Sequence, residues 1–137
     1  MTRRKLREQV VKMLYQSEVG KSTPEEVFSF YLGNAKPDKN SLTFVKNLFF
    51  GVSEKIAELD KKIEKHADNW KLKRIALVDK NILRMALYEM IYCEDIPDVV
   101  SINEAVDIAK KYSTEDSGKF VNGLLDKIKD ELAKKGA

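Results

Sequence analysis

Asn81–Glu89 (NILRMALYE), Ser101–Tyr112 (SINEAVDIAKKY) and Glu115–Lys127 (EDSGKFVNGLLDK) follow one another in the second half of the chain. In each block apolar residues recur at three- and four-residue steps, the period of one helix face. Ile82, Leu83, Ala86, Leu87, Met90 and Ile91 make a wide apolar arc that Met85 and Tyr88 extend. A helix apolar over most of its circumference belongs at the centre of a bundle. Cys93–Val100, with Pro97, reads as a loop, and Ser101-x-x-Glu104 as a capping box ahead of Ile102, Ala105, Val106, Ala109 and Tyr112. Ser113 or Thr114 caps a last helix carrying Phe120, Val121, Leu124, Leu125, Ile128 and Leu132.

Upstream the same period continues. Leu6, Val10, Met13 and Leu14 predict a first helix from about Arg3 to Val19, stopped by Gly20. Thr23-Pro24-Glu25-Glu26 combines an N-cap, a proline at the first helical position and a glutamate three residues past the cap. It opens a short helix with Val27, Phe28 and Leu32, followed by a loop over Gly33–Asn40. Leu42, Val45, Leu48, Phe49, Val52, Ile56, Leu59 and Ile63 predict one long helix ending near His66. Ala67–Asn69 separates the halves, and Trp70–Ala76 reads as a short helix. With neither strand-like alternation nor an internal repeat, the fold class is all-α.

A chain of 137 residues makes one domain, with helical halves of about 1–66 and 70–134 sharing a core. A third of the residues are charged, as in soluble globular proteins, and no apolar run approaches the roughly 20 residues that span a bilayer. The basic start leads into no apolar signal core. The lone Cys93 cannot form an internal disulfide, which points to a reducing cytoplasm. Net charge is only +3, so a polyanion site must come from local clustering.

Arg3, Arg4, Lys5 and Arg7 supply it. Basic groups in a first helical turn oppose the helix dipole, costing roughly 0.3–1 kcal/mol each. Arg3 and Arg7 lie one turn apart beside the apolar stripe, near a groove; they read as phosphate contacts or as a solvated basic end. Phe120 lies at the margin of the last helix's apolar arc, beside Asp116 and Gly123 with Lys119 flanking. It packs inward as core or offers a face for base stacking, worth about 1–3 kcal/mol. Gly123, inside a helix, suggests close approach by another backbone.

Enzyme signals fail. Gly20-Lys21-Ser22 has Tyr15 where a P-loop needs its first glycine, and no strand precedes it. One histidine and one cysteine cannot assemble a His/Cys metal cluster. His66 stands among lysines without a nucleophile partner. No catalytic residue, metal or cofactor is expected.

Nearly end to end, from Arg3 to about Lys129, the chain resembles the NusB family. The resemblance rests on Arg3-Arg4-x-x-Arg7-Glu8 with Leu14-Tyr15, LFFGV at 48–52 and Trp70-Lys71-Leu72-Lys73-Arg74-Ile75. More specific are ILR-x-A-x-YE at 82–89, P-x-x-V-x-INEA at 97–105, AKKY at 109–112 and KFVNG at 119–123. It implies seven helices in two perpendicular three-helix sub-bundles. It also implies a transcription antitermination factor that binds single-stranded BoxA RNA with the ribosomal protein NusE, within the RNA polymerase antitermination complex serving ribosomal RNA operons. Carried over by position, RNA contacts fall at Arg4, Arg7, Arg84, Tyr112, Asp116, Lys119 and Phe120, with Arg3 added from its charge. The NusE-facing surface falls around Asp79. A NusB-like domain also occurs fused to RNA cytosine methyltransferases, but no room for a catalytic domain is expected here. A homodimerising helical adaptor is the alternative that uses the same amphipathic helices without RNA.

Overall fold

The computed structural model describes residues 1–67 and 72–136. Its elements are α1 (Arg3–Gly20), α2 (Pro24–Ala35), α3 (Lys39–Glu54), α4 (Ile56–His66), a 3-10 turn (Leu72–Arg74), α5 (Leu77–Tyr92), α6 (Asp98–Tyr112) and α7 (Glu115–Gly136). No strand occurs among the described residues. None of the described helices is long and apolar enough to cross a membrane.

Local chemistry sets most helix starts. Thr2 accepts from the Lys5 N–H at 3.2 Å to open α1. At α2, Thr23 Oγ1 accepts from the Glu26 N–H and Glu26 Oε1 from the Thr23 N–H, so the capping box closes in both directions. Asp38 caps α3 through the Ser41 N–H at 2.9 Å. Helix α1 runs through Gly20, and Lys21, at φ 55°, takes the left-handed position that ends it. Helix α2 likewise reaches Ala35, leaving a shorter connection than the expected loop.

α5 is the axis of the fold. It packs against α1, α3, α4, α6 and α7, and Ile82, Leu83, Met85, Ala86 and Leu87 are all buried. A single apolar core runs from Leu6 in α1 to Ile128 in α7. In the first half, Phe28, Phe49 and Phe50 cluster by their rings. Tyr31, not Leu32, fills the next inward position of α2.

Four expectations are corrected. The long helix is two: at Lys55 the N–H bonds to Val52 O, three residues back, and α4 starts on a new line. Ser53 bonds back to the Phe49 carbonyl at 2.8 Å, and Gly51 lies two residues earlier, a combination that bends helices. The bend lets α3 pack on α1 while α4 packs on α7. Ser101 and Glu104 form no capping box, because α6 already starts at Asp98 after Pro97. Ser101 is instead buried and donates to Glu89 Oε1 at 2.8 Å. Of the segment expected as a helix over Trp70–Ala76, Leu72–Arg74 forms the 3-10 turn, and Trp70 and Lys71 lie outside the described residues. Finally, among the described residues nothing from another element lies within 4 Å of where a Gly123 Cβ would sit. The close approach is at Gly51, where an added Cβ would run into the Tyr88 phenol ring.

Candidate nucleic-acid interface

The arginine row at the start of α1 is divided among three environments. Arg3 is exposed and lies over the Phe44 ring, its guanidinium carbon 4.7 Å from the centroid. Arg4 reaches α6, where it pairs with Glu104 and, at 2.9 Å, with Asp107. The bond from Arg4 to Glu104 is the main reason its guanidinium holds its proton more firmly than usual. Arg7, one turn beyond Arg3, turns inside. Its Nε and Nη2 donate to the two Glu89 oxygens at 2.8 and 2.9 Å, and Nη1 to Glu104 at 3.3 Å. Arg4 and Arg7 are held by acids of α5 and α6, which offset the unfavourable helix dipole of α1. Arg3 also lines a cleft of about 460 Å³ with Asn40, Phe44, Asn47, Cys93 and Ile96.

Tyr112 ends α6, with its hydroxyl donating to Glu8 at 2.7 Å. The Lys12 and Lys111 ammonium groups each lie 5.2 Å from its ring centroid, and Lys111 also donates to Glu8. This half-exposed aromatic is therefore ringed by positive charge and tethered to α1. Lys12, Lys111 and Phe44 were not singled out from sequence; AKKY contained Lys111, but the approach of Lys12 and Phe44 depends on tertiary packing.

Two residues on, α7 opens with Thr114 accepting from the Ser117 N–H at 3.0 Å, and Glu115 and Asp116 stand in its first turn. Asp116, Ser117 and Phe120 join Arg74, Ile75, Ala76 and Asp79 around a cleft of about 380 Å³. Phe120 is half-buried in its wall, while Asp116 and Lys119 are exposed. Asp79 was expected on a partner-facing surface; its side chain is buried because α7 covers it, and Ser117 donates to its Oδ2 at 2.8 Å. Asp79 Oδ1 is buried without a hydrogen-bond partner among the described residues. Arg84 is also inside, donating to both Asp60 oxygens at 2.7 and 2.8 Å, to Glu18 at 3.0 Å and to Asn81 at 3.0 Å. Burial works against its charge, but Asp60 and Glu18 outweigh that and hold it firmly protonated.

The structure thus brings Asp116 and Phe120 together at one cleft, with Lys119 beside them on α7. It keeps Arg3 and Tyr112 at the surface near α1, leaves Arg4 half-exposed between two carboxylates, and places Arg7 and Arg84 in the interior.

An all-helical fold around a central α5, with an arginine-rich α1 and an aromatic cleft on α7, defines a helical binding module. The NusB family model matches residues 4–130, and the chain belongs to the NusB family. It is 46% identical over 93% of its length to the transcription antitermination protein NusB of Ruminiclostridium cellulolyticum, covering 88% of that protein. Among solved structures it is similar to T. maritima NusB, with TM-score 0.89, 39% identity, and coverage of 96% of this chain and 92% of that one. It is also similar to a chain of the crystal structure of the antitermination factors NusB and NusE in complex with dsRNA, with TM-score 0.85 and 29% identity. That match covers 96% of this chain and 99% of the other.

Proposed function

We propose that this protein is a transcription antitermination factor. In this reading it binds BoxA-type single-stranded RNA together with the ribosomal protein NusE, inside the cytoplasmic RNA polymerase antitermination complex, and supports transcription of ribosomal RNA operons. It acts as one RNA-binding unit and not as an enzyme. The observation that carries the reading is the likeness, over nearly the whole of both chains, to a NusB solved with NusE and RNA.

The surface chemistry supports it. Arg3 and Lys119 supply phosphate attraction, and Arg4 joins them by exchanging a carboxylate for a phosphate oxygen. Tyr112 and Phe120 supply faces for unstacked bases. Arg7 and Arg84 enter as positioning residues: one fixes α1 against α5 and α6, the other fixes α5 against α1 and α4. Asp116 accepts from a base edge or limits affinity, since a carboxylate repels phosphate. In this reading NusE docks beside the Asp79 cleft and the segment leading into α5.

The test is a titration of BoxA-containing RNA and a scrambled RNA of equal length, with and without NusE, across a salt series. Preference for BoxA, sharpened by NusE, is expected. For a single strand the slope of log affinity against log salt is about 0.7 per phosphate neutralised. Equal, steeply salt-dependent binding of both RNAs would overturn the reading and leave a generic basic surface.

A further inference from the structure

Two ammonium groups converge on the ring of Tyr112. Lys12 of α1 and Lys111 of α6 each lie 5.2 Å from its centroid, and all three side chains reach the surface. The α6 dipole accounts for Lys111, which stands in the last turn where a cation is favoured. It does not account for Lys12, which lies midway along α1. Bringing that second ammonium beside the first costs repulsion, and an exposed ring returns little for it.

One buried carboxylate organises the cluster. Glu8 Oε1 accepts from the Tyr112 hydroxyl at 2.7 Å and from Lys111 at 3.0 Å. That single negative charge stands among three ammoniums: Lys111, Lys12 one turn further along α1, and Lys5, which also acts on Glu8 from one turn before it. The excess is positive.

The cluster ends a seam between two helices. Arg4, Glu8 and Lys12 follow at four-residue steps on one face of α1. Their partners climb α6 in the same order: Glu104 and Asp107, then Lys111, then Tyr112. The rise from Arg4 to Lys12 is about 12 Å, which a few nucleotides of single strand can cover. After Tyr112 only Ser113 and Thr114 precede α7, whose first turns carry Asp116 and Phe120 to their cleft. The lysines therefore stand between the arginine end of α1 and the start of α7.

We infer that Lys12 and Lys111 are phosphate contacts of the RNA site, joining the arginine end of α1 to the α7 cleft as one track for a single strand. The inference rests on the RNA-binding reading above and adds the two lysines to it. Each ammonium rides on a flexible four-carbon stem, so it can exchange the ring for a phosphate oxygen while Glu8 keeps the phenol tethered. Phosphate contacts carry no sequence information, so these lysines add affinity for any strand and leave preference to other groups.

The experiment uses the full chain with Lys12→Gln, Lys111→Gln, the double variant, and Lys61→Gln on α4 as a charge-matched control. Each is titrated with BoxA-containing and scrambled RNA across a salt series, with and without NusE. Each single seam variant should flatten the slope of log affinity against log salt by about 0.7, and the double variant by about 1.4. Both RNAs should lose affinity by the same factor, and Lys61→Gln should keep the parental slope. Lys111 also bonds to Glu8, so a thermal midpoint accompanies each titration; Lys12→Gln leaves that bond in place and carries the test if Lys111→Gln fails to fold. An unchanged slope in Lys12→Gln, with BoxA preference intact in the parent, would overturn the inference and leave the RNA reading in place. An equal change in Lys61→Gln would also overturn it, by reducing the effect to net charge. So would a loss confined to titrations with NusE, which would assign the lysines to the protein partner. Absence of BoxA preference in the parent would remove both readings together.

Discussion

Arg7 and Glu89 meet inside the protein as two parallel hydrogen bonds, Nε to Oε2 at 2.8 Å and Nη2 to Oε1 at 2.9 Å, with their side chains only 3% and 1% exposed. The pair ties α1 to α5 where Ser101 and Glu104 of α6 also converge. Removing one partner leaves the other charge buried and uncompensated, which costs about 3–5 kcal/mol. Arg7→Ala and Glu89→Ala should each lower the unfolding free energy obtained from urea titration by that much. The double variant Arg7→Met/Glu89→Leu should recover most of the loss. Equal destabilisation in the double variant would mean that packing, not charge pairing, dominates here.

Gly51 makes a different kind of contact. Its missing side chain is the space that the Tyr88 ring occupies. Gly51→Ala gains helix propensity but forces the phenol to move, and overpacking of this kind costs about 1–3 kcal/mol. In a Tyr88→Ala background the same substitution should be neutral or stabilising. Thermal denaturation of the four proteins gives the coupling, and additive effects would dismiss the contact.

Glu8 provides an acid-sensitive lock between α1 and α6. Burial pushes its carboxyl up, but the Tyr112 and Lys111 hydrogen bonds outweigh that and bring it below the ordinary glutamate value. A depressed folded pKa contributes stability above the unfolded value, about 4.3, and the contribution is lost as pH falls through the lower folded value. Glu8→Gln should therefore be less stable than the parent at pH 7. The gap should narrow below about pH 4.3 and close once the parental carboxyl is protonated. Urea midpoints across pH 2.5–7, in round values about the glutamate range, test this; a constant gap would exclude titration of Glu8 as its source.

Asp116 stands exposed in the first turn of α7, beside Phe120. Removing its charge should tighten RNA binding about two- to fivefold at low salt, with the gain fading as salt rises. Weaker binding by Asp116→Asn would instead identify a base contact that needs the carboxylate.

What the sequence made legible follows the range of each interaction. The Thr23–Glu26 capping box closes within four residues and could be read directly. The breadth of the apolar arc from Ile82 to Ile91 was enough to place α5 at the centre. Arg7 was misleading because its acceptor, Glu89, lies 82 residues away. On a wheel it looked like the exposed Arg3. Ser101-x-x-Glu104 has the spacing of a cap, but the two side chains serve Glu89 and the arginines, and nothing local distinguishes those uses. The bend at Lys55 was hidden because Val52, Ile56, Leu59 and Ile63 keep helical spacing straight through it. At the candidate site, the aromatic margin of α7 was visible, whereas burial of Asp79 depends on how Ser117 docks.

The joint at Lys55 also bears on how the molecule opens. Had α3 and α4 been one rod, melting either end would strain a shared hydrogen-bond ladder. With the ladder stepping to Val52 O at Lys55, α4 depends mainly on α5 and α7, and α3 on α1 and α5. Amide protons on the two sides of Lys55 are then expected to fall in separate cooperative units, exchanging with solvent at rates set by different neighbours.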